Sequence, residues 1–473
     1  MTFGYLLIAA ILFSCILADR FSGKFGMPAL ILFMAVGMIF GCDGLFKIQF
    51  DNYAVAEKVC AAALVFIMFY GGFNTKWQSA KCVAVRATIL STLGVLVTAG
   101  LTGVFCYFVL HFSYVESFLI GAVLSSTDAA SVFSILRGKH LNLRDGTASL
   151  LEIESGSNDP MSYLLTMIGI SLLGNADTGN IPLMIFMQLA LGILVGVVVA
   201  LIGIVLLTKT NFIPEGLETI FVIAIVIFSF GLAELIGGNS YLSVYLLGIL
   251  LGNSRIRNKN ILIPFFDGVT GLAQILIFFL LGLLAFPHRM PDIMVPALLI
   301  ALFLTFVARP IAVFGILLPF RCSIRQCLLV SWAGLRGAAS IVFAIMVIAG
   351  GGDISLDLFH IVFMVALLSV AFQGTLIPKV AEKLDMVDNS ADVSKTFNDY
   401  QEESAMTLMR MYIPKGHNWE NHKICEVSIP TGALALMIKR DGDTMIPNGD
   451  TRILAEDSVI PVSYTHLTLP TKR

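Results

Sequence analysis

Seven consecutive residues, Glu154-Ser155-Gly156-Ser157-Asn158-Asp159-Pro160, place two carboxylates, an amide and two hydroxyls inside an apolar run from Leu150 to Leu173. A charged side chain at the middle of a bilayer costs roughly 2.5 to 3.5 kcal/mol on insertion scales, so such groups mark function by default. On a helix Ser155 and Asp159 lie four apart and share a face, and Glu154 and Asn158 share the neighbouring one. A hydroxyl oxygen beside a carboxylate suits a hard cation that takes oxygen ligands. Pro160 removes a backbone donor and is expected to loosen the helix locally, freeing carbonyls nearby.

Two further polar breaks lie in apolar runs. Ser125-Ser126-Thr127-Asp128-Ala129-Ala130-Ser131 interrupts Phe118 to Leu136. Serine and threonine are common glue between membrane helices, but an aspartate beside them suits an unwound helix, where its charge offsets a half-helix N-terminus. Gly334-Leu335-Arg336-Gly337-Ala338-Ala339-Ser340 carries an arginine in mid-run, which needs an anionic partner or a water cavity. Glu154 is the natural candidate for an ion pair with Arg336. That pairing leaves Asp159 as the carboxylate free to change its charge.

The elements that must position these residues are membrane spans. Of 473 residues 57% are hydrophobic and only 13% charged, whereas soluble domains carry about 25% charged residues. The mean hydropathy is +0.88. The apolar runs read as thirteen spans, near 3–18, 27–42, 54–73, 83–110, 116–136, 148–173, 182–207, 217–237, 240–252, 264–286, 293–318, 327–349 and 357–380, each close to the ~20 residues a bilayer requires. Counting Arg86 and Lys58, which lie just inside the following spans, loops after odd-numbered spans hold fourteen lysines and arginines and loops after even-numbered spans three. The positive-inside rule then puts the N-terminus outside and the C-terminal tail in the cytoplasm. The first run lacks a basic leader and a clear cleavage site, so it reads as a span rather than a removed signal. The eight cysteines form no Cys-x-x-Cys pair and read as small buried hydrophobes. A net charge of −2 gives no sign of a nucleic-acid partner.

Beyond Ile377-Pro378 the composition turns polar. The expected division is a transmembrane domain over 1–383, a linker over 384–411 that is helical from Val387 to Met411, and a small α+β cytoplasmic domain over 412–461. Turn signals stand at Asp441-Gly442 and Asn448-Gly449. Residues 462–473 fit neither that pattern nor a natural end and read as a translated adapter, a non-native tail. His417 and His422 lack further ligands nearby, so no metal site is expected there.

The strings SSTDAASVFSIL, LLEIESGSNDP, SWAGLRGAASIVFA and FHIVFMVALLSVAFQGTLIP resemble the cation/proton antiporter superfamily, in particular its NhaP-type branch, over roughly residues 1 to 385. The resemblance implies an all-α polytopic membrane protein with thirteen spans in two inverted repeats, broken helices five and twelve crossing beside span six. It implies that Asp159 is alternately protonated and cation-bound, that Asn158 orients it, that Ser155 and the Thr127 carbonyl supply further ligands, and that Asp128 balances helix ends. Glu154 with Arg336 would hold the spans together. The Thr-Asp-Ala-Ala form at 127–130, where many members place proline third, looks like a potassium/proton subset.

The tail strings around Asp441-Gly442 and Asn448-Gly449-Asp450 resemble the TrkA-C ligand-binding domain, implying a regulatory module with a nucleotide as candidate ligand. The expected activity is therefore electroneutral one-for-one exchange of K+, or alternatively Na+, for H+ at a single carboxylate, in the inner membrane, by a homodimer surrounded by lipid. It is not an enzyme and needs no cofactor. A cation channel gated by the tail domain would need a Thr-Val-Gly-Tyr-Gly filter, which the chain lacks. An intramembrane aspartyl protease could use Asp128 and Asp159 as a dyad, but the surrounding amide, hydroxyls and arginine serve ion exchange better.

Overall fold

The computed structural model describes residues 2–25, 28–138, 141–174, 180–209, 213–214, 216–256, 258–350, 356–388, 407–408, 411–413, 417, 419–427, 433–440 and 443–463. The chain divides into two compact units, Met1–Val393 and Ser394–Arg473.

The first unit is helical. In chain order its long elements are α1 (Thr2–Phe25), α2 (Ala29–Phe40), α3 (Tyr53–Asn74), α4 (Ala84–Phe108), the pair α5a (Tyr114–Val123) and α5b (Ala129–Gly138), α6 (Thr147–Leu173) and α7 (Ile181–Lys209). Then follow α8 (Glu218–Leu235), α9 (Ser240–Gly252), α10 (Lys259–Leu284), α11 (Pro287–Leu317), the pair α12a (Ile324–Trp332) and α12b (Ala338–Ala349), and α13 (Leu358–Lys383). Among the described residues eight of these are long and apolar enough to cross a membrane. Polar caps set several starts: Asn52 accepts from the Val55 amide, Asn239 from the Leu242 amide, and Ser113 with Glu116 forms a reciprocal capping box at α5a. Helices approach closely where side chains vanish. A Cβ on Gly282 of α10 would stand 2.1 Å from the Met34 carbonyl of α2, and one on Gly248 of α9 2.3 Å from the Phe69 carbonyl of α3.

The two helix pairs are broken where the sequence places its polar runs, at 124–128 and 333–337. Three helices widen into π-type turns, at Leu90–Gly94, Leu304–Ala308 and Ser369–Gly374. Such turns recur at functional sites. Two of them here stand immediately before or around side chains of the polar core. The loosening expected at Pro160 does not break the helix: α6 runs through it, and the Asn239 amide donates to the Pro160 carbonyl at 2.8 Å.

The second unit, as far as it is described, is an antiparallel sheet of β1 (Thr407–Leu408), β2 (Met411–Tyr412), β3 (Ala433–Arg440), β4 (Asp443–Met445) and β5 (Ser458–Ser463) in the order β1-β5-β3-β4, with β2 also on β5. Ile413, Ile438, Ile453 and Val459 form its core. Three sequence expectations change here. Most of the expected helical linker lies outside the described residues, but its start is tied to the first unit by the Leu143–Val387 bridge, and Thr407–Leu408 and Met411–Tyr412 are strands. Val462 and Ser463 continue β5 and pair with Leu434 and Ala433, two residues beyond the expected edge of the domain; 464–473 lie outside the described residues. The only helical element described in this unit is the short turn Ile424–Glu426.

Candidate ion-exchange site

The breaks in α5 and α12 meet. The Asp128 amide donates to the Leu335 carbonyl at 2.9 Å, and Arg336 Nη1 donates to the Ser126 carbonyl at 2.8 Å. Gly337 is required at this crossing, because a Cβ there would stand 2.3 Å from that of Asp128. Unwinding leaves backbone groups without helical partners, and side chains take them up. Asp128 caps α5b, accepting from the amide and hydroxyl of Ser131. Ser155, from α6, bridges the gap: its hydroxyl donates to the Thr127 carbonyl at 2.8 Å and accepts from the Ala129 amide at 2.9 Å. The Arg336 amide is bound by the Ser369 hydroxyl, which in turn donates to Gln373.

Facing the crossing, α6 presents its carboxylates. Glu154 is 1% exposed and is held by Arg309 of α11 in a two-pronged pair, Nη1 to Oε1 and Nη2 to Oε2, each 2.9 Å. The expected partner was Arg336, and the structure corrects this. The guanidinium of Arg336 is engaged by the Ser126 carbonyl, while Arg309 follows directly on the wide turn Leu304–Ala308, which sets its position. Asn158 donates to Glu154 Oε1 at 3.1 Å and to the Thr127 hydroxyl, fulfilling the i, i+4 relation. Its side-chain oxygen is buried and has no hydrogen-bond partner. Asp159, 7% exposed, accepts from the Ser126 hydroxyl. No hydrogen bond joins Asp128 to Asp159 among the described residues, and each carboxyl is bonded to its own serine.

Sequence reasoning assigns neither Arg309 nor Ser126 to the site, although it notes Arg309 as a charged residue within a span. Arg309 lies in a long apolar run, and an intramembrane arginine was the available signal. Ser126 was grouped with structural hydroxyls, and nothing in its spacing marks it as the partner of Asp159. Two features flank the site. An open cavity of about 220 Å³ is lined by Asp19, Ala130, Ser131, Ser134 and Gln274, reaching the first turn of α5b. One turn beyond Asp159 on α6, Tyr163 packs against Tyr241 and Phe343.

Two discontinuous helices crossing beside a carboxylate-bearing helix, in a chain this apolar, define a polytopic membrane transporter. The model of the transmembrane sodium/hydrogen exchanger family matches residues 8–383, and the chain belongs to that family. It is thus a cation/proton antiporter. The K(+)/H(+) antiporter NhaP2 of Shewanella baltica (strain OS223) is 33% identical over 461 residues, 96% of this chain and 80% of the relative. The Na(+)/H(+) antiporter 1 of Methanocaldococcus jannaschii is 28% identical over 73% of this chain and 83% of its own. The solved structure of the sodium proton antiporter MjNhaP1 from the same organism at pH 8 superposes with a TM-score of 0.70 at 24% identity, covering 80% of this chain and 99% of that one, and so shares its fold.

Proposed function

We propose that the chain exchanges K+ for H+ one for one, without net charge movement, and that Asp159 is the group the two ions share. One observation carries this reading: the polar core sets two arginines against three carboxyls, so one carboxyl is left over when the other two balance them. Arg309 and Arg336 supply two positive charges, Glu154 and Asp128 two negative ones, and Asp159 remains. With Asp159 protonated, or ionised with a monovalent cation, the core is neutral; ionised and empty it carries one uncompensated buried charge, which is costly. Proton and cation therefore replace one another.

The oxygen donors fit a monovalent cation. Asn158 Oδ1 is buried and unbonded, and the Ser155 hydroxyl and Thr127 carbonyl, bonded to one another, each keep one lone pair. Potassium is favoured by the Thr127-Asp128-Ala129-Ala130 form and by the relatives named K(+)/H(+) antiporters, which match 96% of this chain. Sodium is the second reading, favoured by the M. jannaschii relative. Dissipation of a proton gradient in proteoliposomes, reported by an internal pH dye, tests the choice: K+ discharges it at micromolar to millimolar levels at which Na+ does not, and an equal or better response to Na+ overturns the assignment.

The same proposal includes thirteen crossings in two inverted repeats, a homodimer in the inner membrane, the N-terminus outside, and the second unit in the cytoplasm as a TrkA-C-like regulator with a nucleotide ligand. The cavity beside α5b then opens inward, and the Tyr163–Tyr241–Phe343 cluster closes the outer side. Removing residues 390–460 should change the response of exchange to pH or nucleotide; an unchanged response removes the regulatory role.

A further inference from the structure

At the end of the helical unit that the proposed orientation places outside, two histidines flank the connection from α10 to α11, Ala285 to Arg289. His360, in the first turn of α13, is 1% exposed. Its Nε2 accepts the backbone N–H of Phe286 at 3.0 Å, and its Nδ1 lies 2.6 Å from Asp357 Oδ1. A backbone amide can only donate, so Nε2 carries no proton and Nδ1–H donates to Asp357. The ring is therefore neutral in this arrangement, and a second proton has one place to go, the nitrogen that holds the connection.

A structural histidine would end there, but this one has a ready counterion. Asp357 is bonded by both the ring and the amide of His360 and stands 3.8 Å from Arg289. His288, on the same connection, presents both its amide (3.1 Å) and Nδ1 (2.6 Å) to Asp43 in the α2–α3 loop. His288 and its own amide hold the Asp43 carboxyl below its usual range. Among the described residues, the other ionisable groups placed beside this corner are Glu116 at the start of α5a, which accepts the Leu356 amide, and Tyr53 of α3, whose ring meets Phe359; Asp292 follows three residues after Arg289 in α11, and α12b carries none.

We propose that His360 is a second proton site, separate from the transported proton, that operates a latch between α13 and the α10–α11 connection. With the ring neutral the latch is shut. With both nitrogens protonated, Nε2–H opposes the Phe286 N–H, the amide turns away, and Asp357 retains the imidazolium. Protonated His288 meanwhile pairs more strongly with Asp43, so acid outside transfers the connection from α13 to the α2 side. The connection leads into α11, which carries Arg309, and α13 carries Ser369 against Arg336, so the latch lies at the outer ends of two helices that build the site. Its regulatory meaning rests on the antiporter reading; its chemistry does not.

Amide hydrogen exchange of the full-length protein tests the chemistry directly. Relative to its intrinsic rate, the segment containing Phe286 should exchange at least about tenfold faster near pH 5.5 than near pH 8, across the range in which imidazoles titrate. His360→Gln can accept from Phe286 and donate to Asp357 at any pH, so it should abolish that change. Exchange activity at fixed internal pH should follow external pH in the wild type and not in His360→Gln. Constant protection in the wild type, or an unchanged switch in His360→Gln, overturns the latch; an amide switch without an external-pH effect on exchange overturns its regulatory role. Asp159→Asn should keep the amide switch while losing transport, which separates failure of the latch from failure of the antiporter assignment.

Discussion

Glu154 and Asp159 stand five residues apart on α6, both buried, yet their surroundings are opposite. Glu154 has a guanidinium laid across both oxygens and an amide on one of them. Asp159 has a single serine hydroxyl. A carboxylate neutralised by a fixed arginine gains nothing from a mobile cation, whereas one bonded by a hydroxyl, with no ion pair among the described residues, can take its countercharge from the solution. On the proposed mechanism the same helix thus holds one carboxylate as structure and leaves the next to exchange. The second unit repeats the first case: Arg440 meets Asp457 through Nε at 2.8 Å and Nη2 at 2.7 Å, and Asp457 is fully buried.

The largest expected effect breaks the free member of the comparison. Asp159→Asn should lower cation-dependent proton movement to the background of empty liposomes while leaving thermal stability in detergent close to wild type. Proton-coupled transport surviving in that variant would refute the assignment. Glu154→Gln breaks the structural member and should act the other way round. It strands Arg309 without its countercharge, at about 3 to 5 kcal/mol, visible as a large fall in unfolding temperature, and Arg309→Met in the same chain should recover much of it. A double variant as unstable as Glu154→Gln alone would show that the pair is not what the single substitution disturbs.

Asn158→Asp sharpens the contrast by adding a second titrating carboxylate. Exchange should become sensitive to membrane potential, read as a rate that changes when a potential is imposed; continued indifference means that the new carboxylate stays protonated throughout. A smaller effect is expected of Ser155→Ala, which removes a proposed ligand and the bridge between Thr127 and Ala129. The hydrogen bonds are worth about 1 kcal/mol each, so the half-saturating cation concentration should rise on the order of tenfold, with maximal rate less affected.

The smallest effect concerns Asp457. Burial pushes its carboxyl up, but the Arg440 bonds and the Leu454 amide outweigh that and hold it below the usual carboxylate range. A depressed pKa contributes stability that is full above the unfolded value of about 3.9 and lost as pH falls through the folded one. Protection of β3 against hydrogen exchange should therefore fall below about pH 4, and Asp457→Asn should already lack that contribution at neutral pH.

Much of this was legible in residue type and spacing. The hydrophobic runs located the helices, most ends to within three residues and the first, tenth and eleventh helices with one end off by five to seven, because a run of about 20 apolar residues admits few alternatives. The break at 124–128 followed from Asp128 standing beside hydroxyls in an apolar run, and that at 333–337 from the resemblance to the antiporter family, carried there by Arg336 between its glycines. The Asn158–Glu154 contact followed from helical periodicity. Partner choice did not. Arg309 and Arg336 are equivalent to a reader of sequence, and which one reaches Glu154 depends on how α11 and α12 pack, with the wide turn before Arg309 set by tertiary contacts. Ser126 could not be told from Ser125 for the same reason: in an unwound segment the period that assigns faces is gone. In the tail, composition and turn residues announced a small domain without locating its strands: the two-residue strands β1 and β2 lie in a segment whose composition reads as helical, and their pairing with β5 is non-local.

The central claim is that Asp159 alone changes charge during the cycle. It is tested most directly by timing cation-dependent proton movement in proteoliposomes held at different membrane potentials under identical ion gradients. The account expects the same rate and the same reversal point at every potential, set by the two ion gradients alone. A rate or reversal point that moves with potential would contradict it, because a second charge would then be crossing the membrane with each exchange.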